Sequence, residues 1–165
     1  MSFLPDPLHP AIIHFPIVLS LVALLFEVVA RHPRARSLEG AAGLLVLLAA
    51  VSSVVAVVTG NAAHDDAVVP PAAVALVARH EQIGELAMWT LLAVAAVRVA
   101  LTWRGWFTGI VPWVYVLALA LGATLVGVNG YIGGKMVFDH GVGTGPVQRQ
   151  PAAQASGATP RPAPG

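Results

Sequence analysis

Imidazole is the chemistry this sequence offers. His9 and His14 stand in LHPAIIHFPIVL, His64 in TGNAAHDD, His80 in RHEQIGE and His140 in GGKMVFDHG, leaving only His32 outside these four contexts. Neutral imidazole nitrogens ligate haem iron, and they also suit zinc, copper and non-haem iron. The chain has no cysteine, which excludes disulfides, thiolate-ligated zinc, cysteine-ligated iron–sulfur clusters, covalent c-type haem and a cysteine nucleophile. No catalytic triad, phosphate loop or nucleotide fingerprint is present, so the sequence reads as a binding protein more readily than as an enzyme on its own.

The elements that must position these residues follow from composition. Of 165 residues 57% are hydrophobic and 10% charged, with a mean hydropathy of +0.78. A soluble domain carries about a quarter of its residues as Asp, Glu, Lys and Arg, so lipid must be part of this chain's solvent. A membrane span needs about 20 mainly apolar residues. Four stretches qualify: about Pro10–Ala30, Leu38–Gly60, Ile83–Trp103 with a helical lead-in from Ala72, and Trp106–Tyr131. The fold class is therefore all-α, an integral membrane bundle of four transmembrane helices with up-down topology and short connections. Residues 1–144 form the membrane domain. The Pro-, Ala- and Gly-rich stretch 145–165 lacks any apolar period and reads as a disordered tail. Met1–Leu8 contains Asp6 and no Lys or Arg, unlike a cleavable signal peptide. A net charge of +1 without a basic run gives no reason to expect nucleic acid.

Orientation follows from the arginines. Arg31, Arg34 and Arg36 lie between the first two spans, and Arg98 and Arg104 lie at the end of the third. The positive-inside bias then places these loops in the cytoplasm and both termini on the outer side. His9, His14, His64, His80 and His140 all fall at the outer ends of their segments. An ordinary interfacial histidine is the alternative for each taken singly, because one ring nitrogen can stay wet.

Local context ranks the candidates. Pro10 suits a first helical turn, while Pro16 removes the amide that would bond Ile12 and kinks the first span beside His14. His80 and Gly84 are one turn apart and share a helix face, so the glycine leaves a notch in which a planar macrocycle could lie. Glu81 or Glu85 could orient an imidazole. Ser52, Ala56 and Gly60, and Leu119, Ala123 and Gly127 followed by Gly130 and Gly134, are small-residue rows that let helices approach closely. Glu27 and Arg31 form an i, i+4 pair at the inner end, Arg98 is expected to snorkel toward the same face, and Trp103 with Trp106 forms an aromatic belt.

HPAIIHFPI, TG at the end of the second span, the histidine opening the third, Arg98 and GGKMVFDHGVG together resemble a bacterial membrane-protein family known as domain of unknown function 2231, over roughly residues 7–144. The resemblance implies a four-helix membrane domain, and the expected setting is the bacterial inner (cytoplasmic) membrane. It marks His9, His14, His80, Gly133, Gly134 and His140. Relatives that occur beside or fused to Rieske and cytochrome-type modules imply redox work. The combined expectation is a b-type haem near the outer face with His14 and His80 as axial ligands, His9, His140 and Gly84 in support, and a quinone pool or an external redox protein as electron partner. The alternatives are a zinc, copper or iron site built on His14, His80 and His64, and a non-catalytic membrane subunit.

Overall fold

The structure, a computed structural model, describes residues 9–66 and 69–143. The tail expected over 145–165 lies outside the described residues. Among the described residues there are five α-helices and two short 3-10 turns: α1 (His9–Ile12), α2 (His14–Ala30), α3 (Leu38–Asp66), α4 (Val74–Trp103) and α5 (Val111–His140). Four segments, with α1 and α2 counted as one, are long and apolar enough to cross a membrane.

The break between α1 and α2 has a local cause. Ile13 donates its amide to the His9 carbonyl at 3.1 Å, but the carbonyl of Ile12 finds Pro16 four residues on, which has no N–H to give. The chain turns at Ile13 and resumes as α2. At the other end of the molecule Pro112 opens α5, and Gly105 and Gly109 take positive φ in the turn before it. That turn consumes residues 104–110, so α5 starts later than the expected Trp106. It continues nine residues past the expected Tyr131, through GGKMVFDH, and stops where Gly141 adopts a left-handed conformation with φ 66°. The amides of Gly141 and Val142 close the helix on the carbonyls of Val137 and Met136, each at 3.0 Å, a glycine-dependent cap.

The helices form a closed square. α2 packs on α3 and α5, and α4 packs on α3 and α5, so the first and third spans face each other across the diagonal. The core between them is built mainly of small residues: Ala23, Val46, Ala49, Ala87 and Ala95 surround Leu91 and Leu119, which are fully buried. Large side chains such as Leu21, Val51, Val99 and Leu117 remain exposed on the outside, as expected of a bundle whose outer solvent is hydrocarbon. Small residues at the helix contacts let backbones approach where lipid offers no hydrophobic drive between helices.

Candidate functional site

At the end of the bundle where α1 and α4 begin, two imidazoles meet across the diagonal. The His9 and His80 ring centroids are 6.3 Å apart with an interplanar angle of 85°. Each ring lies on a glycine of a neighbouring helix. A Cβ built at Gly60 of α3 would come within 3.0 Å of His9 Cε1, and one at Gly133 of α5 within 3.1 Å of His80 Cε1. The glycines are flat seats for the rings.

Hydrogen bonding fixes which nitrogen of each neutral ring is free. His80 Nδ1 is 3.2 Å from the Asn129 carbonyl oxygen. A carbonyl only accepts, so Nδ1 carries the hydrogen and Nε2 keeps its lone pair. His9 Nδ1 is 3.3 Å from Thr59 Oγ1. The single hydroxyl hydrogen of Thr59 is directed to the Val55 and Ala56 carbonyls, at 2.9 and 3.1 Å, so the hydroxyl oxygen accepts from His9. Both histidines are thus tethered through Nδ1 to the helix wall and keep Nε2 for a ligand, the arrangement by which an outer partner orients a metal-binding imidazole.

A half-open cavity of about 250 Å³ adjoins the two rings. Its walls are mostly apolar, with Ile17, Val77, Met88 and Met136 among them, and it carries few polar groups. One of these is Asn129, whose side-chain oxygen is buried and has no hydrogen-bond partner among the described residues. Together with the two Nε2 atoms it makes an acceptor-rich site, suited to a cation or to a ligand that donates hydrogen bonds.

The structure brings together a different pair from the one expected. His14 is exposed on the bundle surface and is not part of the cavity wall; His9 occupies the position beside His80. Five residues separate the two histidines of the first span, and at about 100° per residue that turns them roughly 140° apart on a helix. Only one can face the core. Gly84 lines the cavity, but its notch holds an amide and not open space, since a Cβ there would meet Asn129 Nδ2 at 3.0 Å. His64 stands at the cavity edge, where its Nδ1 is 2.7 Å from Glu81 Oε1 and both side chains are about half exposed. His140 is the half-buried last residue of α5 and lies outside the cavity wall, and Glu85 lines the cavity from an exposed position. Among the described residues no three His, Asp or Glu side chains converge as a metal-binding group.

The opposite end of the same diagonal holds a polar cluster of another kind. Arg98 of α4, expected to snorkel, is instead 6% exposed, with Nη1 2.9 Å from Oε1 of the fully buried Glu27 of α2. The contact lies outside hydrogen-bond geometry and acts charge to charge. Arg98 Nη2 also donates to the Glu39 carbonyl at 2.8 Å. Arg31 clamps both acids, with Nη2 at 3.2 Å from Glu27 Oε2 and from Glu39 Oε1. The Phe107 ring covers the guanidinium of Arg98 at 3.9 Å, and Tyr115 meets Phe107 edge-on with centroids 5.4 Å apart. Arg98 has no need of water because carboxylate, carbonyl and aromatic ring replace it.

Comparison with known proteins bears on both ends. The profile of a family described as predicted membrane protein (DUF2231) matches residues 5–146. The chain belongs to that family. In this DUF2231 protein the matched region runs from before His9 to beyond Gly143 and so contains both polar clusters and the whole bundle. No curated protein and no solved structure matches the chain significantly.

Proposed function

We propose that this membrane protein binds a b-type haem through Nε2 of His9 and Nε2 of His80, and serves electron transfer with a quinone pool or an external redox protein. The observation that carries this reading is the pair of Nδ1-tethered imidazoles at 6.3 Å. A metal–nitrogen bond of about 2.0 Å places two rings on opposite sides of one ion with centroids about 6 Å apart. The number of donors argues in the same direction. A bare tetrahedral ion wants three or four protein ligands, whereas haem brings four nitrogens of its own and asks the protein for two. When bound, haem supplies one-electron chemistry at a potential set by its axial ligands and surroundings. The protein's share is to hold both rings in one tautomer, to wall the site with apolar side chains, and to leave it half-open so that a planar ligand larger than the cavity can extend outward.

The proposed setting is the bacterial inner membrane, with the arginine end cytoplasmic and the histidine end outside. An absorption spectrum of the purified protein tests the function. A Soret band that is lost in both His9→Ala and His80→Ala supports it; a colourless protein that binds no added haemin removes it.

The free side-chain oxygen of Asn129 favours a second reading, a hydrated zinc, copper or iron ion on the same two imidazoles, with a bound water donating to that oxygen. Elemental analysis separates the two, since this reading requires stoichiometric metal without a Soret band.

A further inference from the structure

The arginine end carries a second cavity, of about 420 Å³, between the end of α2, the start of α3 and the turn that leads into α5. Arg31, Arg36, Glu39, Phe107, Thr108 and Trp113 contribute to its wall. Arg31 is already committed to Glu27 and Glu39. The Arg36 side chain is exposed and makes no hydrogen bond, ion pair or ring contact among the described residues. The imbalance extends beyond the cavity. This end of the bundle holds five arginines, at 31, 34, 36, 98 and 104, against the two glutamates 27 and 39, and Arg31 and Arg98 already engage both acids.

Depth identifies the occupant. Trp103, Trp106 and Trp113 are exposed at this same end, and tryptophans outside a membrane bundle mark headgroup level. Trp113 is itself part of the cavity wall. A pocket with surplus positive charge, at headgroup depth and opening beside apolar helix faces, fits an anion attached to acyl chains. We infer that this cavity binds the headgroup of an anionic phospholipid, with Arg36 as the cation that pairs with its phosphate.

The test uses the full chain purified in a neutral detergent. Its thermal midpoint is followed as phosphatidylglycerol, phosphatidylcholine or inorganic phosphate is added to the wild type, Arg36→Gln and Arg36→Lys. Phosphatidylglycerol is expected to raise the wild-type midpoint by several degrees. Arg36→Gln should lose most of that rise and Arg36→Lys keep most of it, while phosphatidylcholine and phosphate leave all three proteins unchanged. Native mass spectrometry of the same samples should show one retained phosphatidylglycerol on the wild type, which reads binding even if Arg36→Gln folds poorly. An equal rise from phosphatidylcholine, a rise that survives in Arg36→Gln, or a rise produced by inorganic phosphate alone would each overturn the assignment, the last by making the ligand a soluble anion.

Discussion

His80 and Arg98 lie on one face of α4, eighteen residues and therefore five helical turns apart. The first span repeats the interval, since His9 and Glu27 are also separated by eighteen residues. At a rise of about 1.5 Å per residue the interval is about 27 Å, close to the roughly 30 Å of a bilayer's hydrocarbon core. The same two faces of the diagonal helices thus meet as an imidazole pair at one end and as a carboxylate–guanidinium pair at the other. Leu91 and Ala23, both fully buried, lie in the apolar core between them. The ion pair couples α4 to the first span at one end, as the imidazole pair does at the other.

The first prediction tests that coupling. Removing one partner of a buried pair leaves an uncompensated charge and costs about 3–5 kcal/mol, whereas replacing both by apolar residues of similar volume is far less damaging. Arg98→Met should therefore lower the detergent melting temperature markedly, and Glu27→Leu combined with Arg98→Met should recover much of the loss. If the double variant melts no higher than Arg98→Met, the pair is not what anchors this end.

The sequence makes the four spans and the up-down order legible because apolar runs of this length have few other uses. It also brings the histidines to one end. The choice between His9 and His14 is not legible in the same way. Both lie in one kinked, proline-flanked segment, and only the rotation of that segment about its axis, set by the packing of α1 on α3, turns His9 inward. Arg98 is missed for a related reason. About three turns of largely apolar sequence precede it and the helix ends five residues later, which is the pattern of a snorkelling arginine. Its partners Glu27, Glu39 and Phe107 come from three other segments, so no local signal reveals the cluster. One signal was available, the identical interval from each histidine to the opposite charge.

Topology is the second prediction. With the arginine surplus facing the cytoplasm, Ser37 is expected inside and Ala62 outside, and both residues are exposed. Single cysteines introduced at these positions should label oppositely with an impermeant thiol reagent in intact cells, Ala62→Cys reacting and Ser37→Cys reacting only after lysis. The reverse pattern would move the imidazole pair to the cytoplasmic side.

A third prediction concerns His64 and Glu81. Their contact is short, at 2.7 Å, but the side chains are 47% and 41% exposed, and exposed pairs contribute about 0–1 kcal/mol. His64→Ala should change the melting temperature by no more than a degree or two and leave bound haem unchanged. A loss of stoichiometric zinc, copper or iron in this variant would instead assign His64 to a metal site.

The last prediction asks whether the glycine seats matter to ligand binding. Gly60 and Gly133 carry the two imidazole rings, and a methyl group at either would press on ring carbon at 3.0 or 3.1 Å. Gly134, next in the chain, has open space around its would-be Cβ. Alanine is also the better helix former by roughly 0.8–1.0 kcal/mol, so on propensity alone all three changes should stabilise the protein. If the rings must hold their present positions, Gly60→Ala and Gly133→Ala will displace His9 and His80 respectively and weaken haem binding, while Gly134→Ala binds as the wild type does. Titration of each purified variant with haemin, read at the Soret band, measures the difference. A partial defect should appear as a weakened or shifted Soret band. Equal binding in all three variants would mean that the rings move freely on α3 and α5, and that the tethered geometry of His9 and His80 does not select the ligand.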